Sequence, residues 1–196
     1  MAPTPGRVLT VCTGNICRSP FLERALQAEL DRSWGHGEVA VASGGTGALA
    51  GHPMEPHARA LLEAQGYAAD GFVARDLSTA MVADADLVLT ATRAHRGKVM
   101  ALHPRAVRYT FTFREFAHLA SGLTADELRG EGAEESRDHL ARVVTLAAGQ
   151  RGVGGPLADA EADIVDPYRL SEQVFQAMTT QIMLALPAVV RALARP

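Results

Sequence analysis

The chain has 196 residues, of which 47% are apolar and 21% charged, and its formal net charge is −3. This length suits one domain with its own core, and the acidic balance argues against nucleic acid as a partner. The segment from Met1 to Arg7 lacks the apolar stretch of a signal peptide, and no apolar run is long enough to cross a bilayer. The two cysteines, Cys12 and Cys17, are too few for a disulfide scaffold. We therefore expect a cytoplasmic protein with no membrane association.

The first 120 residues alternate between strand and helix patterns. An apolar run over residues 7–12 predicts a buried strand, and the Gly-Asn pair after it predicts a turn. Ser19 and Pro20 indicate a helix start, with serine as the cap and proline in the first turn. Further strands are predicted over residues 39–43, 86–90 and 107–110, and further helices over about 56–66 and 93–102.

The pattern weakens after Phe116. Residues 121–138 are charged and punctuated by glycine, a helix is predicted over about 134–148, and residues 149–163 are expected to form a flexible Gly-rich loop. The last helix should begin at Ser171, and Pro187 should kink it or end its first part.

The alternation of strands and helices predicts an α/β fold of three layers, a four-stranded parallel sheet with helices on both faces. Ligands of such sheets bind beyond the carboxyl ends of the strands. Cys12 stands at the carboxyl end of the first predicted strand, so its thiol should face the ligand site.

The segment from Cys12 to Ser19 has the composition of a phosphate-binding loop. A tightly wound loop can aim its main-chain N–H groups at phosphate oxygens, and Gly14 and Asn15 tolerate the positive φ that such winding requires. Arg18 offers a planar fork for two oxygens, and the following helix adds its positive end. These surroundings favour the thiolate of Cys12, and Ser19 can stabilise the sulfur as it leaves. A structural cysteine in a buried turn is the alternative interpretation.

Asp166, Pro167 and Tyr168 form a second candidate segment. A poor leaving group departs more easily when an acid protonates it, and Asp166 lies in a turn sequence that proline stiffens. Tyr168 can form an aromatic wall against a substrate ring. Taken alone, Asp-Pro is more often an ordinary helix-entry turn, and the Cys12 loop in the same chain favours the acid.

The run Cys-Thr-Gly-Asn-Ile-Cys-Arg-Ser-Pro resembles the signature of the low-molecular-weight protein-tyrosine phosphatases. Similarity extends over residues 7–119 and 163–185, including the segments 43–47, 51–54, 85–89 and 166–168. The resemblance implies Cys12, Arg18 and Asp166 as catalytic residues. It implies a substrate-binding set made of Thr13, Gly14, Asn15, Ile16, Cys17, Ser19 and Tyr168, with Ser43 supporting Asn15. No cofactor and no metal are expected, and the seven histidines are interpreted as surface or packing residues.

Three features depart from the family pattern or leave alternatives open. Phe72 stands where the family often has a histidine that supports Asn15. Residues 119–163 are an expected insertion in the single domain 1–196, either a tolerated surface segment or a substrate-gating element. Cys17 is either a small core residue or the partner that captures an oxidised Cys12.

The implied function is hydrolysis of phosphotyrosine in proteins, and of small aryl phosphates, through a cysteinyl-phosphate. The expected partners are tyrosine-phosphorylated proteins and a tyrosine kinase, and a monomer is expected. Arsenate reductases of this fold need further cysteines, which the sequence lacks, and protein-arginine phosphatases carry threonine in place of Ile16. A non-catalytic phosphoprotein-binding module is the third alternative.

Overall fold

The computed structural model describes residues 4–130, 135–152 and 157–196. Its sheet has four parallel strands, β1 (Gly6–Cys12), β2 (Val39–Gly45), β3 (Leu87–Thr90) and β4 (Thr110–Thr112), in the order β2-β1-β3-β4. Because β1 is central and all strands are parallel, the carboxyl ends of β1 and β3 lie side by side, with Val11 opposite Thr90. The predicted four-stranded parallel sheet is confirmed.

Helices connect and cover these strands. Their bounds are α1 (Arg18–Trp34), α2 (Pro56–Ala64), α3 (Thr79–Asp84), α4 (Arg93–Leu102), α5 (Phe113–Ser121), α6 (Ala125–Leu128), α7 (Ser136–Gly149), α8 (Asp159–Ala162) and α9 (Glu172–Leu193). A 3₁₀ helix, Pro104–Arg108, precedes β4.

Each face of the sheet has its own hydrophobic cluster, so the predicted three layers are also confirmed. The larger cluster packs Val8 of β1 and Leu87 of β3 against α1, α2, α5, α7 and α9. The smaller cluster, on the other face, joins strand residues to α3, α4 and the 3₁₀ helix; it contains Leu9, Val11, Val88, Val82, Val99 and Ala106. Alternate residues of β1 therefore point to opposite layers, as a strand requires.

The predicted strand at residues 107–110 is wrong in position. Pro104 opens the 3₁₀ helix, Val107 is exposed, and pairing with β3 begins only at Thr110. Three residues are too short to show a clear strand pattern, which explains the shift. The short helices α3 and α6 were missed because their signals are caps: the side chains of Ser78 and Thr124 accept main-chain N–H bonds at the two helix starts.

The C-terminal helix α9 is continuous to Leu193, so Pro187 does not end it. Pro187 is exposed, while neighbouring turns bury Ile182 and Leu186 in the larger cluster, and this packing maintains the helix. Within the described residues α9 is the one helix whose length and composition would suffice for a membrane span. Its buried face packs on α1, α2 and α5, and Trp34 Nε1 donates to Leu193 O at 2.8 Å.

The segment from residue 119 to 163 contributes to the core. Helix α7 buries Leu140 and Val143 in the larger cluster, and Ser136 Oγ accepts the Gly6 N–H of β1 at 3.0 Å. Its assignment as an insertion stays a prediction. Parts of two expected loops, residues 131–134 and 153–156, and Met1–Pro3 of the first segment lie outside the described residues.

Ile164 joins the chain after α8 to this core. Its side chain is 1% exposed in the larger cluster, and its N–H donates to Ala91 O, just beyond β3, at 2.8 Å.

We expect Ile164→Ala to lower the free energy of unfolding by about 2–5 kcal/mol, because it leaves a cavity in the main core. Chemical denaturation monitored by circular dichroism measures the change. Val73→Ala is the matched control, since Val73 is 55% exposed and its truncation should change stability little. Equal stability of the Ile164 variant and the wild type would contradict this placement.

Candidate active site

The loop between β1 and α1, residues 13–17, winds with its carbonyl groups facing outward. Four of these carbonyls, counting that of Cys12, accept N–H groups from the chain segment around it. The bonds are Thr46 N to Cys12 O (2.9 Å), Gly47 N to Thr13 O (3.2 Å), Leu49 N to Gly14 O (2.9 Å) and Glu55 N to Ile16 O (2.8 Å). We refer to residues 46–55 as the strap.

The N–H groups of this loop face the opposite way. Among the residues that the structure describes, none accepts a hydrogen bond from the main-chain N–H groups of residues 14–18. They surround a cavity of about 140 Å³ lined by Cys12, Thr13, Gly14, Ile16, Cys17, Arg18, Gly47, Leu49, Asp166 and Tyr168. A ring of free N–H groups at a helix start is an anion site of the size of a phosphate.

Two residues permit this winding. Asn15 has φ of 53°, a left-handed conformation that asparagine tolerates better than most residues. Gly45, at the end of β2, passes so close that a Cβ there would lie 2.5 Å from Thr13 O. The expectation of positive φ at Gly14 is wrong, because the winding needs only the left-handed Asn15.

A chain of buried polar side chains supports the loop from behind. Asn15 Nδ2 donates to Ser19 Oγ and to Ser43 Oγ, both at 2.8 Å, and Ser19 Oγ lies 2.9 Å from Cys12 Sγ. Ser43 in turn donates to Glu23 Oε2. Asn15, Ser19 and Ser43 therefore support the loop and do not line the cavity, and Glu23 is a member of the network that sequence reasoning missed.

The position of Phe72 does not break this network. Its ring is buried against the guanidinium of Arg24, at 5.8 Å, while the main-chain N–H of Arg75 donates to Asn15 Oδ1 at 2.9 Å. Arg75 Nη2 also contacts Glu23 Oε2 at 3.4 Å. Residues from the 72–75 segment thus fix Asn15 without a histidine.

Ser19 does not cap α1 as predicted. The helix begins two residues earlier than predicted, at Arg18, with Cys17 in the cap position and no side-chain cap bond. Ser19 is instead fully buried, and Thr10 Oγ1 donates to its carbonyl at 2.8 Å. The helix start is left open toward the cavity, and its first turn contains no acidic residue.

Arg18 connects the loop to the predicted acid segment. Its side chain is 5% exposed, and Nη2 lies 2.6 Å from Asp166 Oδ2, whose side chain is 52% exposed. Nη1 donates to Ile164 O at 3.4 Å, and the buried Nε has no hydrogen-bond partner within the described ranges. A buried guanidinium with an unsatisfied N–H favours an anionic ligand.

The segment that carries Asp166 is held at several points. Its neighbour Val165 donates its N–H to Gln181 Oε1 of α9 at 2.9 Å, and Asp163 Oδ1 accepts the N–H of Arg93 at 2.9 Å. Asp166 Oδ1 accepts the N–H of Tyr168 at 3.2 Å. Arg169 has φ of 60° and places its guanidinium 5.1 Å from the Tyr168 ring centre. These contacts anchor the Asp166 segment to α9 and to the start of α4.

Cys17 is buried within the larger hydrophobic cluster, and both cysteines are free thiols. Burial raises the pKa of the Cys17 thiol far above its ordinary value, and the neighbouring Cys12 raises it further. Cys17 is therefore a neutral core thiol, which agrees with the packing interpretation. Its capture of an oxidised Cys12 stays a prediction.

His95 is a residue near the cavity that sequence reasoning assigned to packing or surface. It is 5% exposed in the first turn of α4, and its Nε2 lies 2.8 Å from Thr13 Oγ1. Burial, and then the charge of Arg18, lower its pKa to about 4. The signal that could have found it is topological, because α4 begins just after the carboxyl end of β3, beside that of β1.

Comparison with known proteins assigns a family. The profile of the low molecular weight phosphotyrosine protein phosphatases matches residues 7–147. The protein-tyrosine-phosphatase Wzb of Salmonella typhimurium is 28% identical over 174 residues, covering 89% of this chain and 85% of its own. The phosphatase Etp of Escherichia coli is 34% identical over 109 residues, covering 56% of this chain and 70% of its own.

Solved structures of similar fold agree with this assignment. The tyrosine phosphatase AmsI of Erwinia amylovora superposes with a TM-score of 0.69 at 25% identity, covering 97% of this chain and 95% of its own. The arginine phosphatase YwlE of Geobacillus stearothermophilus has a TM-score of 0.66 at 24% identity, with coverage of 95% and 91%, and shows the shared fold alone. From the profile match and these relatives, the chain belongs to the low molecular weight phosphotyrosine protein phosphatase family.

Proposed function

We propose that this phosphatase hydrolyses phosphotyrosine in proteins, and small aryl phosphates, through a cysteinyl-phosphate on Cys12. The observation that carries the proposal is the loop of residues 13–17, whose carbonyls bind the strap while its N–H groups face the cavity beside the Cys12 thiol. A nucleophile at the base of an anion site favours attack on a phosphate ester.

In the first step, Cys12 Sγ attacks phosphorus in line with the ester oxygen. The S–P bond forms as the P–O bond breaks, and the loop N–H groups and Arg18 hold the three remaining oxygens. Asp166 gives its proton to the leaving phenolic oxygen.

In the second step, Asp166 accepts a proton from water, and that water attacks phosphorus. The S–P bond breaks, inorganic phosphate leaves, and the Cys12 thiolate is restored. Ser19 Oγ, 2.9 Å from Cys12 Sγ, can donate a hydrogen bond to the departing sulfur.

Substrate choice rests on the depth and lining of the cavity. Phosphorus bound at the loop lies below the rim, so a phosphotyrosine ring reaches it more easily than the short side chain of phosphoserine. Tyr168 lines the cavity and is 40% exposed, which suits contact with an aromatic ring. Leu49 lines the same cavity with an aliphatic side chain instead of an aromatic one. Because this contact distinguishes weakly between substrates, the enzyme should accept a broad range of phosphotyrosine peptides.

Phosphoarginine is the second candidate substrate, because an arginine phosphatase shares this fold. Ile16 lines the cavity and is 7% exposed. Its apolar side chain stands at the loop position where protein-arginine phosphatases carry a threonine. This favours the aryl ester. The proposed partners remain tyrosine-phosphorylated proteins and their kinase, in the cytoplasm.

We expect Cys12→Ser to reduce hydrolysis of an aryl phosphate by more than about a thousandfold, since the hydroxyl is a much poorer nucleophile. Binding of inorganic phosphate, measured by calorimetry, should persist because Arg18 and the loop N–H groups remain. Ser33→Ala, in the last turn of α1 and at the opposite end of that helix from the loop, serves as the control with wild-type turnover. Substantial turnover by a clean preparation of the Cys12 variant would refute the assignment.

We expect Asp166→Asn to slow phosphotyrosine hydrolysis by about 10²–10⁴-fold, the usual contribution of a general acid. An ester of a much more acidic phenol should be slowed far less, because its leaving group needs little protonation. Measured kcat for the two esters tests this difference. Asp70→Asn, at a carboxylate whose side chain is 86% exposed and which does not line the cavity, is the control and should leave both rates unchanged. Equal slowing of both esters by Asp166→Asn would leave Asp166 a purely structural role.

We expect kcat/KM to be highest for a phosphotyrosine peptide, with phosphoserine and phosphoarginine peptides at least about tenfold lower. Ile16→Thr should narrow the gap to phosphoarginine, because it removes apolar bulk and adds a hydroxyl at the cavity wall. Ile16→Val keeps the apolar character and serves as the control. A wild-type preference for phosphoarginine would overturn the substrate assignment and leave the Cys12 mechanism intact.

A further inference from the structure

His95 connects two threonines across the rim of the cavity. Its Nδ1 lies 2.7 Å from Thr92 Oγ1, and its Nε2 lies 2.8 Å from Thr13 Oγ1. Thr13 lines the cavity together with Cys12 and Arg18, whereas Thr92 is the cap residue of α4. The imidazole thus links a helix cap to the hydroxyl of a residue that lines the cavity.

The protons in the hydrogen-bonded series Thr92–His95–Thr13 can be counted. With a pKa of about 4, the ring is neutral at neutral pH and carries one N–H and one acceptor nitrogen. Thr92 Oγ1 already accepts the main-chain N–H of His95 at 3.3 Å, so its own proton is available for Nδ1. In that arrangement Nε2–H donates to Thr13 Oγ1, and the single proton of Thr13 remains free.

In the alternative tautomer of His95, both side-chain hydrogen bonds run in the opposite direction. Nδ1–H then donates to Thr92 Oγ1, and the Thr13 hydroxyl donates its proton to Nε2. Each arrangement satisfies all three groups, so the two differ mainly in whether Thr13 has a proton to give. A phosphate in the cavity offers acceptor oxygens only, and it favours the first arrangement.

We propose that His95 is a positioning residue that holds Thr13 as a hydrogen-bond donor to the phosphate group. The inference rests on the proposed function, since it needs a phosphate in the Cys12 loop, and it adds a side-chain donor to the main-chain ring. His95 forms no bond to phosphorus and keeps its charge. Only the two threonine hydroxyl protons and the ring proton are rearranged, so that every hydrogen bond runs from Thr92 through His95 to Thr13.

The test is the affinity for inorganic phosphate, measured by calorimetry and as a competitive inhibition constant. Thr13→Val removes the hydroxyl with little change in shape, and His95→Leu removes the ring nitrogens. Each variant should weaken phosphate binding about tenfold, the effect of one hydrogen bond to a charged group. The double variant should be no weaker than either single variant, because both act through the same bond.

A rescue variant distinguishes a positioning role of His95 from a packing role. His95→Gln, whose amide can still donate to Thr13, should bind phosphate within about threefold of the wild type, and it should rescue nothing when Val replaces Thr13. His103→Leu, at the other end of α4, is the matched control and should bind as the wild type does.

Several outcomes would overturn the inference. They are unchanged phosphate affinity in Thr13→Val, losses that multiply in the double variant, and a lower melting temperature of His95→Leu with unchanged affinity. Thr13→Val decides the matter even if His95→Leu does not fold. Failure of the proposed function would instead appear as turnover by Cys12→Ser, so the two failures are distinguishable.

Discussion

The direction of the peptide groups in residues 13–17 is the constraint on which the site depends. An N–H ring forms only if the carbonyls of the same residues find donors on the outside, and the strap supplies those donors. The requirement extends into β2, because a side chain at Gly45 would collide with Thr13 O. The left-handed Asn15 is maintained by bonds to Ser19, Ser43 and Arg75. The anion site is therefore a property of several segments together.

The sheet determines where the other groups arrive. Because β1 and β3 are parallel neighbours, the loop after one and the helix after the other begin at the same edge, which brings His95 to Thr13. The segment that carries Asp166 comes from a distant part of the chain, and it is fixed at this edge by Ile164 in the core and by Gln181 of α9. Stability of the core and geometry of the site are thus coupled through one short segment.

Sequence reasoning succeeded where the pattern is local. The strand before Cys12, the loop and the helix over Arg93–Leu102 were predictable because apolar spacing and turn residues lie within a few positions. It failed at β4, whose three residues follow a 3₁₀ turn, and at α3, where a cap is the main signal. The contacts of Arg18 with Asp166 and of Thr13 with His95 join residues more than 80 positions apart. Such pairings depend on tertiary packing, which spacing alone does not encode.

The ion pair between Arg18 Nη2 and Asp166 Oδ2 competes with any anionic ligand for the same guanidinium group. A ligand that uses Nη2 must displace a carboxylate, so its advantage grows with its negative charge. A phosphate monoester carries two negative charges near neutral pH, whereas a diester carries one and has a second substituent that the narrow ring of N–H groups would have to accommodate. We therefore expect the Arg18–Asp166 contact to favour phosphate monoesters over diesters such as nucleic-acid backbones and phospholipids.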